Sequence, residues 1–197
     1  MIDLNALFHR HPGAIALFSI GVFALLSYLI ALRPAFELKA VDAAAANGAQ
    51  ISVPDQVMRG RAVYLREGCG YCHTQQVRAA FVDVGYGRPS RASDYSADAP
   101  PLLGTQRTGP DLSDVGSRQA SVMWNLYHLF NPRSVMPQSV MPGFPWYFDV
   151  IDASAASGQP YALLMPEPFL PPGKVAVPRQ DALDLVSYLR SLVQKRP

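Results

Sequence analysis

Five consecutive residues, Cys69-Gly70-Tyr71-Cys72-His73, constrain this chain more than any other stretch. A C-x-x-C-H run is the attachment sequence for a c-type haem: two thiols spaced to add across the two vinyl groups of one porphyrin, then a histidine placed beneath the iron. Other uses of a C-x-x-C pair fit less well. A structural zinc site needs four ligands, and Cys69 and Cys72 are the only cysteines in the 197 residues. A thioredoxin-like redox pair belongs beside a βαβ pattern, which the sequence lacks. The motif therefore reads as one covalent haem c, with His73 as one axial ligand to the metal.

From Gly13 to Leu32 the chain carries no charged residue. A helix of about 20 residues at 1.5 Å rise crosses the roughly 30 Å hydrocarbon core of a bilayer, so one N-terminal transmembrane helix is expected. The run exceeds the apolar region of a secretory signal peptide, which opposes cleavage near Ala43 to Ala46. Arg10 before the span and Arg33 and Lys39 after it leave the positive-inside rule undecided. The haem orients the chain instead. Haem c is attached on the outer side of the energised membrane, so the N-terminus is expected inside and the haem domain on the periplasmic or equivalent face of the inner membrane. The expected organisation is an N-terminal segment and anchor over 1–33, a linker over 34–54 and a mono-haem domain over 55–197. A net charge of +2 gives no reason to expect nucleic acid as a partner. Lysine occurs only at Lys39, Lys174 and Lys195, which suits a fixed partner better than a roaming carrier that docks by a lysine-rich face.

Within the domain, Val57, Gly60, Val63 and Tyr64 recur at helical spacing from Asp55 to Glu67, with Pro54 at the start and Gly68 at the end. Ala182, Leu185, Val186, Leu189 and Leu192 form a second stripe between Gln180 and Gln194, with acidic residues first and Arg190, Lys195 and Arg196 last, as the helix dipole favours. Ser121 to Phe130 reads as a third helix, stopped by Asn131-Pro132. The expected fold class is all-α, one anchor plus a haem domain with long Gly/Pro-rich loops; a helix before the haem motif and another closing the chain resemble the two ends of a class I cytochrome c fold, which implies that Gly60 and Tyr64 meet Tyr188 where those helices cross. A large apolar haem lets such loops bury what a small protein core alone could not.

Methionine is the usual ligand opposite histidine in electron-transfer cytochromes. Met136 and Met141 both precede proline, which favours an extended strap. Met141 is the first candidate and Met136 the second; His128, four residues after Trp124, is a third. Met58, Met123 and Met165 read as core filler. Gly109-Pro110-Asp111-Leu112 stands where class I cytochromes keep a proline whose carbonyl accepts the proximal histidine's other N–H, and that resemblance implies Pro110 in this role with Leu112 packed on the ring. Arg78 and Arg107, ahead of Arg118 and Arg133, are candidates to pair the haem propionates. No arrangement demands a general acid, base or nucleophile, so no catalytic residue is expected.

Several runs together resemble the mono-haem subunit II, the FixO or CcoO subunit, of cbb3-type cytochrome c oxidases. They are Arg66-Glu67-Gly68-Cys69 into Cys72-His73-Thr74-Gln75-Gln76-Val77-Arg78, Tyr86-Gly87, and Arg107 to Leu112 with Val115-Gly116. Further on come Trp124 with His128-Leu129, Asn131-Pro132-Arg133-Ser134-Val135, and Ser139 with Met141-Pro142 before Pro145-Trp146. Departures occur at Val77-Arg78-Ala79 (Ile-Arg-Pro in the family), at Gly85 (Arg), at Leu103-Gly104-Thr105 (Trp-Gly-Ser) and at Trp124-Asn125 (Trp-His). The resemblance implies Met141 as the sixth ligand. It also implies a haem–copper catalytic subunit as partner and a further c-type cytochrome as electron donor, in oxygen reduction. The alternatives are the cytochrome subunit of a nitric oxide reductase-like complex, a haem enzyme or gas sensor with a displaceable sixth ligand, and a structural subunit with an inert haem.

Overall fold

The computed structural model describes residues 12–36, 39, 53–95, 98 and 100–194. Most of the expected linker lies outside these residues, as do Arg10, Ala43 to Ala46, Lys195 and Arg196. The chain divides into two compact units.

The first contains helix α1 (Pro12–Ser27), which continues through a π-helical turn at Tyr28–Leu32. The whole apolar helix runs Pro12–Phe36, 25 residues, long enough to cross a bilayer. None of α1 is buried in protein, and Leu17 and Phe23 are 72% and 73% exposed. An unbroken apolar surface with no core to cover it is what a lipid-facing helix presents.

The second unit is predominantly helical: α2 (Asp55–Arg66), the short α3 (Val115–Arg118), α4 (Val122–Phe130) and α5 (Gln180–Ser191), with 3₁₀ turns between. Helix α2 buries Gly60, Val63 and Tyr64, while α5 buries Ala182, Leu185, Val186 and Tyr188. The two press together at Gly60, where a β-carbon would fall 1.9 Å from the Asp184 carbonyl oxygen. One turn on, Tyr64 and Tyr188 meet edge to face at 5.3 Å, and Gln75 Nε2 donates to Tyr188 Oη at 3.0 Å. Beside them Arg59 Nε donates to the buried Asp184 at 2.7 Å. Burial pushes that carboxyl up, but hydrogen bonds from Arg59 and Gln180 outweigh it and the net shift is downward.

Helix α4 begins where Ser121 Oγ accepts from Trp124 N at 3.2 Å, an N-cap. Its buried face is Asn125, Leu126, Leu129 and Phe130, and the Asn125 amide is satisfied by the carbonyls of Gln119 and Ser121. The expectation of an all-α chain needs one correction. Strands β1 (Phe148–Asp152) and β2 (Lys174–Pro178) pair antiparallel, in a register running from Phe148 opposite Pro178 to Asp152 opposite Lys174. Each strand is only five residues long and sits among prolines and glycines, so its alternation is too brief to stand out in the sequence. Phe148 turns inward onto Phe130, edge to face at 5.2 Å. Leu163 bridges to Ala176, and both are fully buried. The excursion closes where it opened: Arg179 N donates to Tyr147 O at 2.8 Å.

Candidate haem site

Gly68, with φ of +68°, turns the chain out of α2 in a left-handed conformation that suits glycine. Cys69–Tyr71 then coil into a 3₁₀ turn, and His73 N donates to Cys69 O at 2.9 Å. One tight turn therefore carries both thiols and the imidazole. Cys69 is partly buried, and burial pushes its thiol up to about 11; Cys72 is exposed, and neither is in a disulfide. The turn is anchored from behind. Arg66 Nη2 donates to Tyr147 Oη at 2.8 Å and to Asp181 Oδ2 at 2.7 Å, and Tyr147 Oη donates to Glu67.

The segment after the motif lies against residues 103–112. Gly109 N donates to Cys72 O at 2.9 Å, Gln75 N to Leu103 O at 2.8 Å and Leu112 N to Thr74 O at 2.8 Å. His73 Nδ1 donates to Pro110 O at 2.7 Å, so Nε2 is the ring nitrogen left with a lone pair. Burial lowers the pKa of His73, opposed by that bond. Gly109 touches the ring so closely that a β-carbon would lie 2.2 Å from His73 Cε1. Leu112 is buried in the core that Met141 and Cys69 also pack against.

Arg78 and Arg107 converge on Asp83, a fully buried carboxylate that sequence reasoning missed. Arg107 reaches Asp83 Oδ1 at 2.5 Å and Oδ2 at 2.8 Å, and donates to Gln76 O at 2.6 Å. Arg78 adds its backbone N at 2.6 Å, Nε at 3.2 Å and Nη2 at 3.1 Å. Hydrogen bonds from Arg107 first, then Arg78, hold the Asp83 carboxyl well below the usual range. No signal of spacing could have found it, because its partners lie 5 and 24 residues away in loops. Arg118 lies over one side of the site's Tyr86, 5.3 Å from the ring centroid, with Arg107 at 5.5 Å. Arg133 is exposed. Asp111, also fully buried, accepts from Thr74 Oγ1 at 2.6 Å, Gln76 N at 2.8 Å and Ser113 N at 2.8 Å. It fixes the chain on both sides of the contact with His73.

The two Met-Pro candidates differ in setting. Met141 is partly buried against the core, whereas Met136 is 51% exposed. The strap between them leaves and rejoins the end of α4: Met136 N donates to Pro132 O and Phe144 N to Leu129 O, both at 2.8 Å. His128 on that helix stacks on Trp124, with ring centroids 4.7 Å apart and planes 10° from parallel. Burial lowers its pKa to about 4, with the proximity of His73 adding to the effect. Its Nδ1 is buried and has no hydrogen-bond partner.

These residues suit a c-type haem. Two unpaired thiols and an imidazole with Nε2 uncommitted occupy one turn, glycine is the only residue that fits against that ring, and an unpaired buried nitrogen waits on the neighbouring helix. A comparison with curated proteins found no match. The family model described as cytochrome c oxidase, mono-heme subunit/FixO, matches residues 5–163. That range takes in the apolar helix, the attachment turn, the loops that face it, α4 and the strap, and it is most of the chain; the chain belongs to the FixO family of mono-haem cytochrome c oxidase subunits.

Proposed function

We propose that this chain is the membrane-anchored electron-transfer subunit of its oxidase. It takes one electron at a time from a donor c-type cytochrome and passes it to the haem–copper catalytic subunit that reduces dioxygen. The observation that carries the reading is the attachment turn itself, in which His73 is held by Pro110 O at 2.7 Å beside two free thiols. When bound, the haem supplies a one-electron couple whose potential the axial ligands set. The chain's residues do the rest. Cys69 and Cys72 would hold the group covalently, and His73 would offer Nε2 to the metal while its bond to Pro110 fixes the tautomer. Met141 would offer its thioether to the metal, Leu112 would supply apolar contact, and Arg78, whose Nε and Nη2 go to Asp83, would offer Nη1 to a propionate. Arg107 serves chiefly to clamp Asp83 and the loop after the motif. The anchor sits in the inner membrane with this domain on the outer face.

Met141→His in the assembled oxidase tests the proposal. It keeps six-coordinate iron and lowers the potential, so oxygen reduction should slow while the complex stays intact. Full turnover with a low-potential haem would mean that electrons bypass the subunit, and a purely structural role would replace the reading.

A further inference from the structure

His128 is a titratable residue of the site to which the reading above gives no task. Its Nδ1 is buried and unpartnered, although buried polar atoms nearly always find a partner. The ring cannot simply swing away to find one, because it lies flat on Trp124. It belongs to α4, the helix to whose end the strap carrying Met141 is hydrogen-bonded.

The strap adds the second relationship. It departs from α4 through Ser134 Oγ donating to Asn131 O at 2.7 Å and Met136 N donating to Pro132 O, and it returns through Phe144 N donating to Leu129 O. At Gly143 the returning backbone lies so near the helix that a β-carbon would be 2.6 Å from Phe130 O. Met141, two residues earlier, therefore belongs to a loop whose two ends are pinned to the C-terminal end of the helix that carries His128.

We propose that His128 is a positioning residue of the haem pocket, whose Nδ1–H donates to the thioether sulfur of Met141 and holds it in place as the sixth ligand. The proposal rests on the haem and Met141 reading given above. The sulfur is a weak acceptor, but an otherwise unpaired buried donor gains by using it, and stacking on Trp124 fixes the direction of the N–H in advance. A histidine serving only as packing would fill the same space without regard to its nitrogen.

The test uses the full-length holoprotein. The oxidised parent should show the weak red absorption band of an iron–methionine sulfur bond, and added imidazole should displace Met141 with a measurable affinity. His128→Phe keeps an aromatic ring against Trp124 and removes the donor. Losing one net hydrogen bond, about 1 kcal/mol, corresponds to roughly fivefold tighter imidazole binding. His128→Gln, which restores an N–H donor, should return most of the way to the parent. A measurement on the unaltered chain stands beside these variants: in the reduced protein, the His128 ring N–H should exchange slowly and show a nuclear Overhauser contact to the Met141 methyl group. Parental imidazole affinity in His128→Phe with haem attached, or a reduced protein without that contact, overturns the proposal. A parent without covalent haem or without the band brings down the underlying reading and this one together.

Discussion

Gly109 lies against His73 so tightly that a β-carbon on it would fall 2.2 Å from Cε1 and 2.7 Å from Nδ1 of the imidazole. The neighbouring Pro110 carbonyl holds the same ring, so the ring cannot retreat without losing its bond. Gly109→Ala should therefore tilt His73 or push residues 103–112 away, at an overpacking cost of about 1–3 kcal/mol. The yield of low-spin holoprotein is the measurement, and a parental yield and spectrum would contradict the expectation.

At Gly60 the obstacle is backbone. A β-carbon would meet Asp184 O at 1.9 Å and Tyr188 Cβ at 2.7 Å, and neither can rotate aside. Gly60→Ala should separate α2 from α5 and lower Tm by about 5–10 °C. Gly70→Ala is the control, since its β-carbon would meet only Gly104 Cα at 3.9 Å; it should leave Tm unchanged.

Asp83 makes stability depend on acid. Its pKa is depressed in the folded protein by Arg107 and Arg78, so its contribution is complete above the unfolded value of about 4 and is lost as pH falls through the lower folded value. Asp83→Asn should be less stable than the parent at pH 7, and the gap should narrow as the pH falls below about 4. Urea unfolding at both pH values checks this, and a gap independent of pH would exclude the charge as its cause.

Met141 and Met136 are separable by spectrum. The iron–methionine band of the oxidised protein should disappear in Met141→Ala and persist in Met136→Ala, in keeping with the half-exposed side chain of Met136. The reverse result would move the ligand by one Met-Pro unit.

Topology has a direct assay. A reporter fused after Pro197 should be active only when placed on the outer side of the membrane, and cytoplasmic activity would refute the proposed orientation.

The helices were legible because each announces itself locally. Gly60, Val63 and Tyr64 keep helical spacing, Gly68 ends α2, and Ser121 and Asn131-Pro132 bracket α4. Cys69, Cys72 and His73 were legible for the same reason, being one uninterrupted motif, and Pro110 was legible through the run that contains it. What escaped notice depends on contacts distant in sequence. Asp83 acquires its importance from Arg107 across 24 residues, Tyr147 from Glu67 across 80, and β1 from a strand that begins after a long Pro-rich loop. Arg78 and Arg107 illustrate the limit well: their charge was visible, but the buried acid that claims them was not.

The hydrogen bond from Arg179 N to Tyr147 O makes residues 148–178 a closed detour between the strap and α5. Both ends of the detour are pinned to the same spot, so its span is set independently of its length. The chain between β1 and β2 should therefore tolerate gained or lost residues at its tip around Gly158, where the surface is open. Met141 and α5 would keep their separation throughout. Variation in a related chain should collect there, and a tag or label inserted at that tip should report on the domain without disturbing the metal's surroundings.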